Sequence, residues 1–183
     1  MYKRQGQFRV DVDETTLPAG LTATYDLDDL LVSPDGTWEG PLAFGEVKTD
    51  VDTGYAGDGV LGDLVWLDQD GGGDQDAAEP GIPAVDVTLE FAGADGDLAT
   101  AADNFTLTTT TDANGLYGFT GLPDGTFRVT VDDTDLPADL TATFDDDGIG
   151  TLHISETTLA DGARTDLEPV SYTHLTLPTI YSV

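Results

Sequence analysis

Val85-Asp-Val-Thr-Leu-Glu-Phe91 alternates apolar and polar side chains over seven positions. A strand turns successive side chains to opposite faces, so this run has one buried face and one wet face. The pattern recurs outward in both directions. Leu61–Leu67, with Val65 and Trp66, reads as the strand before it. Phe105 and Leu107 alternate with threonines in the strand after it. Tyr117 and Phe119 follow the turn Asp112-Ala-Asn-Gly115, a hairpin signal. Phe127, Val129 and Val131 alternate again, and Leu140–Phe144, Leu152 and Ile154 supply later strands. No helical period of useful length intervenes. Short strands punctuated by Gly, Pro and Asp predict an all-β chain built as a β-sandwich.

An internal repeat sets the organisation. Gly6–Asp28 (GQFRVDVDETTLPAGLTATYDLD) and Gly125–Asp147 (GTFRVTVDDTDLPADLTATFDDD) agree at 16 of 23 positions, 119 residues apart. A period of that length is a whole domain in tandem, not a solenoid turn. The expected division is the C-terminal part of one module over 6–57 and a nearly complete module over 58–169. The first, without N-terminal strands of its own, should bury its core poorly. The ends, 1–5 and 170–183, depart from the rest in composition and resemble translated transposon-adapter sequence.

The charge is extreme: 36 acidic against 6 basic residues, a formal net charge of -30 at pH 7. Nucleic acid and anionic membrane are excluded as partners, because phosphate neutralisation needs Lys and Arg. Cations are favoured. Only 7 of the 36 acids are Glu, and the short Asp side chain suits turns and hard-cation loops. There is no Cys, hence no disulfide or thiolate chemistry. No run of about 18 apolar residues is present to span a bilayer.

The acids peak in Asp68-Gln-Asp-Gly-Gly-Gly-Asp-Gln-Asp-Ala-Ala-Glu79. Twelve-residue calcium loops place oxygen ligands at positions 1, 3, 5, 7, 9 and 12 and Gly at 6. Asp68, Asp70, Asp76 and Glu79 take positions 1, 3, 9 and 12; Asp74 takes 7, where the backbone carbonyl binds; Gly73 takes 6. Gly72 departs at position 5, so another group must fill that place. Two carboxylates about 4 Å apart repel by roughly 1 kcal/mol in water and about 4 kcal/mol at an effective dielectric of 20. A divalent ion reverses that sign. Calcium fits the donor set better than magnesium or zinc. Asp95, Asp97 and Asp103 form a second candidate metal cluster with looser spacing. Asp145–Asp147 and Asp26–Asp29 read as solvated turns.

With these residues placed, LGDLVWLDQDGGGDQDAAEPGIPAVDVTL and TTTTDANGLYGFTGLPDGTFRVTVD resemble the SdrD B-like domains of serine–aspartate-repeat surface proteins, relatives of the Cna-B type. The resemblance implies a Greek-key β-sandwich of prealbumin or Ig-like form, in tandem modules on an extracellular, cell-surface protein. It also implies that the loop at Asp68–Glu79 binds calcium and stiffens the modules into a stalk, with neighbouring modules as partners. Some relatives carry a Lys–Asn or Lys–Asp isopeptide cross-link. Here the only lysines, Lys3 and Lys48, precede the complete module.

Catalysis has little support. A close acid pair arises by chance among 36 carboxylates. His153, expected on a strand's outer face with Ser155, has no third member for a triad. Trp38 and Trp66 read as packing residues. The expected role is a non-enzymatic spacer. The alternatives are an adhesion domain for a matrix or host-surface ligand and an accessory module of a secreted hydrolase.

Overall fold

In the computed structural model, which describes residues 5–28, 34–144, 151, 153–160, 164–166 and 170–174, Asp86–Phe91 lies inside a four-stranded sheet, with Val85 just before it. The first unit contributes β1 (Gly6–Asp11), β2 (Thr22–Tyr25), β3 (Thr37–Leu42) and β4 (Gly54–Ala56). The second begins with β5 (Gly59–Gly62), β6 (Val65–Leu67), β7 (Asp86–Phe91), β8 (Phe105–Thr110) and β9 (Phe119–Leu122). It continues through β10 (Gly125–Val131), β11 (Leu140–Phe144), β12 (Ile154–Leu159), β13 (Arg164–Asp166) and β14 (Val170–His174). One face of the second unit is the sheet β12-β10-β7-β8; the other is made by β13-β5-β9 and β11-β14-β6. The chain is all-β, with the sandwich carried by the second unit.

Two apolar rows meet between these layers. Val87, Leu89 and Phe91 of β7 stand beside Val131, Val129 and Phe127 of β10 in antiparallel register, and all six are essentially inaccessible to solvent. Leu61, Val65, Phe119 and Leu122 close the core from the opposite layer. The rings of Phe91 and Phe127 are 4.9 Å apart and tilted, a favoured aromatic geometry. On the wet face Arg128 lies between Glu90 and Glu156, at 3.2 and 2.7 Å.

Several expectations change. The run Leu61–Leu67 is two strands, broken at Asp63 and Leu64. The turn at Asp112–Gly115 does not make a hairpin: β8 pairs with β7, whereas β9 pairs with β5. The turn therefore carries the chain from one layer to the other. Asp112 builds it, its carboxylate accepting the N–H groups of Asn114 and Leu116 at 2.7 and 3.0 Å. Those bonds hold its pKa below the ordinary 3.8. Phe105 and Leu107 stay 40% exposed because β8 is the sheet's edge. His153 sits in a turn at φ 69, not on a strand, and Ser155 is buried opposite Val129. Asp26 is also fully buried, its carboxylate accepting the Asp35 N–H at 2.7 Å, and so is no solvated turn. Asp145–Asp147 and Leu152 lie outside the described residues. Val170–His174, set apart by composition, run as β14 between β11 and β6.

The first unit repeats the second at the level of geometry. Asp13 and Asp132 each cap a 3-10 turn by accepting the N–H two residues on. Asp124 N–H donates to the carbonyl of Ala19 at 2.9 Å, and Gly57 N–H to that of Gly121 at 3.1 Å, so the two units touch. Gly20 permits that approach: it sits at φ 74, and a β-carbon there would lie 2.8 Å from the Asp124 carboxyl carbon. Lys48 pairs with Asp50 at 2.9 Å and lies over the Trp38 ring.

Burial separates residues that the repeat makes equivalent. Phe127 is fully buried and Phe8 is 39% exposed. In chemical denaturation, Phe127→Ala is expected to cost about 3–5 kcal/mol and Phe8→Ala less than about 1 kcal/mol. Asp112 gives a pH signature. Its folded pKa is lowered, so its contribution is present above the unfolded value and lost as pH falls through the folded one. The melting temperature of Asp112→Ala should lie below that of the parent at pH 7, and the gap should close on acidification below 3.8.

Candidate metal centre

The acidic loop is closed at its neck by strand-like bonds. Leu67 N–H donates to Pro80 O at 2.9 Å and Ile82 N–H to Val65 O at 2.7 Å. Twelve residues are thereby held as a tight excursion between β6 and β7. Its ends are fixed by the core, since Val65 and Trp66 are at most 1% exposed.

Asp68 is the first residue past β6, and its side chain is fully buried. One carboxylate oxygen accepts Gly71 N–H at 2.6 Å and Gly72 N–H at 3.2 Å; the other accepts Gly73 N–H at 3.0 Å. The glycine run folds its backbone around this carboxylate. Gly71 and Gly73 both sit at φ 76, a left-handed conformation that other residues rarely adopt. The Thr143 side chain on β11 also bonds to Asp68. Burial pushes the Asp68 pKa up, but the bonds from Thr143 and the three glycines outweigh it, and the net shift is downward. The carboxylate is therefore stabilised as an anion.

Around this anchor, Asp70 accepts Gly72 N–H at 2.8 Å. Glu79 reaches back across the loop, accepting Gln69 N–H at 2.7 Å with one oxygen and Asp76 N–H at 3.1 Å with the other. Carboxylate oxygens of Asp68, Asp70 and Glu79 all lie within 4.8 Å of one another. Oxygens on opposite sides of a calcium ion are about 5 Å apart, given Ca–O distances of about 2.3–2.6 Å. The three can therefore share one hard cation, and an all-oxygen donor set without Cys or His suits such an ion.

Asp74 and Asp76 are exposed and stand outside that trio. A β-carbon on Gly72 would lie 2.8 Å from an Asp70 oxygen and 2.9 Å from an Asp74 oxygen. The departure at position 5 thus leaves room for two carboxylates to stay close. The second candidate cluster does not converge in the same way. Asp95 accepts Asp97 N–H at 2.9 Å, Asp97 accepts Ala99 N–H at 2.8 Å, and Asp103 accepts Ala94 N–H at 2.8 Å. Each stabilises its own stretch of backbone. Among the described residues the one converging trio of carboxylates is that of Asp68, Asp70 and Glu79.

The sequence reading missed the backbone cradle and Thr143. The signal was the triple glycine itself, since three successive N–H groups without side chains can wrap an anion.

An all-β sandwich with an acidic loop between β6 and β7 defines a class of repeat module. Residues 59–174 match the SdrD B-like domain, and the chain belongs to that family. It is also similar to the serine-aspartate repeat-containing protein C of Staphylococcus aureus strains Newman and USA300, at 32% identity over 173 residues in each case. The alignment takes in 92% of this chain and 16% of those proteins, so the chain spans a small part of their length.

The burial difference within the loop is testable in calcium-free buffer. Asp68→Ala leaves three backbone donors without their acceptor and should cost about 3 kcal/mol or more. Asp76→Ala should cost less than about 0.5 kcal/mol. Urea denaturation of the two variants measures the difference.

Proposed function

We propose that the second unit is a calcium-stiffened structural module, a spacer in a cell-surface or secreted protein, and not an enzyme. The convergence of Asp68, Asp70 and Glu79 in a loop pinned between two core strands carries this reading. These three form the heart of the site. The carbonyl of Asp74 and the carboxylate of Asp76 complete it, and Gly72 leaves one coordination place to a water or to a residue of another loop. The units are the C-terminal part of one module over 6–57 and a nearly complete module over 58–169, each other's partners in a tandem array. Membership of the SdrD B-like family supports the extracellular setting.

The physical role follows from charge. Five acids within twelve residues repel unless a cation joins them, and with a cation bound the loop braces β6 against β7 and β11. A ligand that binds only the folded state, at about 100 times its Kd, adds about 2.7 kcal/mol. That is a substantial share of a typical domain stability of about 5–15 kcal/mol. No Cys is available to provide a covalent brace instead.

Chelation should lower the melting temperature of the chain. Calcium should restore it, and sodium at matched ionic strength should not. A melting curve unmoved by chelator sinks the calcium reading. Asp68→Asn combined with Glu79→Gln should remove most of the calcium response; a response that survives places the ion elsewhere.

A further inference from the structure

The sheet β12-β10-β7-β8 ends on β8. This strand lies in mid-chain, within the unbroken described stretch 34–144. After Thr110 the chain turns at Asp112–Gly115 and crosses to the opposite layer, where β9 pairs with β5. Among the described residues no strand comes back to the outer side of β8, and its one partner is β7. The open edge is thus a product of the module's own topology.

Backbone geometry says which groups that edge offers. Thr111 N–H donates to Val85 O at 2.9 Å, and Ala84 N–H donates to Thr111 O at 3.1 Å, so both backbone groups of Thr111 turn toward the β7 side. In an antiparallel pair, alternate residues turn these groups the same way. Thr109, Leu107 and Phe105 therefore face β7, and Thr106, Thr108 and Thr110 present N–H and C=O outward. Exposed edges are ordinarily blunted by charge, proline or a bulge. β12, at the far side of the sheet, carries Glu156. Phe105–Thr111 holds no charged residue, no Pro and no Gly, and its register with β7 runs without a shift. Phe105 and Leu107, on the core face beside Phe91 and Leu89, are each 40% exposed. A regular, uncharged edge with a half-covered apolar face is a template for strand addition.

We propose that β8 accepts an extended segment of a partner in which apolar residues alternate with Lys or Arg. The segment bonds through its backbone to Thr106, Thr108 and Thr110, and its apolar residues cover Phe105 and Leu107. Charge selects the basic residues. Asp103 and Asp112 bracket the strand, and Glu90 and Asp86 stand beside Thr106 and Thr110 on the wet face. Arg128, the base next to Glu90, is already held by Glu90 and Glu156 at 3.2 and 2.7 Å. Neighbouring strands are about 4.8 Å apart, so a Lys or Arg on the added strand can lie across β8 to these acids. The formal net charge of -30 opposes a second copy of the chain as occupant and favours a cationic one. β8 is separate from the acidic loop, and the proposal does not rest on the calcium reading.

The probe is the labelled peptide acetyl-Lys-Val-Lys-Leu-Lys-Val-Lys-amide, titrated into the full chain. Saturable one-to-one binding is expected, with amide exchange slowed at Thr106, Thr108 and Thr110 and little changed at Leu107 and Thr109. Thr108→Pro removes an outward N–H and leaves the bonds to β7 in place. It should weaken binding about tenfold or more, equivalent to about 1.4 kcal/mol. The exchange pattern of the parent chain keeps the test valid if Thr108→Pro perturbs folding. Replacing every Lys of the peptide by Glu should abolish binding. No slowing at the three threonine amides under saturating peptide overturns the proposal. So does equal binding of a peptide of the same composition with its apolar residues placed together, or full affinity for a folded Thr108→Pro chain. Self-association of the chain without peptide, lost in Thr108→Pro, overturns it in favour of a second copy as the occupant.

Discussion

The Asp68 carboxylate is the point on which the acidic loop depends, and it ties that loop to β6 and β11 in one layer of the sandwich. It follows the buried strand β6 and is cradled by three glycine N–H groups. It is bonded to Thr143 on β11. A buried anion without such partners would be costly enough to protonate or unfold its surroundings. With them it is an internal fixture. The loop's direction, the placing of Asp70 beside it and the return of Glu79 all follow from that fixed charge. Asp68 also joins two roles. It holds the loop's conformation through backbone donors, and it supplies one oxygen to the trio.

Six aspartates outside this loop serve backbone geometry. Asp13, Asp35, Asp95, Asp97, Asp112 and Asp132 each accept the N–H of the residue two positions on. This Asx-turn geometry needs a side chain as short as Asp. It accounts for the preference for Asp over Glu in the loops. It also explains why spacing alone could not separate the two candidate clusters. An Asp-x-Asp pair is the signature both of a cation loop and of consecutive Asx turns. Asp70 combines the two, Asp68 instead accepts the N–H groups three to five positions on, and Asp95 and Asp97 show only turns.

The strands were legible because alternation is a local property. Val85–Phe91 and Gly125–Val131 needed no partner to be recognised. Layer membership was not legible, because it depends on which distant strand pairs with which. Asp112–Gly115 reads as a hairpin turn either way, and only the pairing of β9 with β5 makes it a crossing. Phe105 and Leu107 carry a core pattern yet sit on an edge, since burial is decided by neighbours. Asp26 looks like part of a wet acidic turn, yet its carboxylate is buried against the Asp35 N–H. The repeat was the most informative signal, for it let β10 and β12 serve as the pattern for β1 and β3.

The pairing of β13 with β5 has a mechanical meaning. β5 opens the second unit, β13 comes near its close, and the two run parallel, Arg164 to Asp166 beside Val60 to Gly62. A pull on the two ends of that unit therefore draws these strands lengthwise past each other. Their backbone bonds are loaded together in shear, and no single bond is peeled open ahead of the rest. In a chain without cysteine, this arrangement spreads tension over several weak bonds at once.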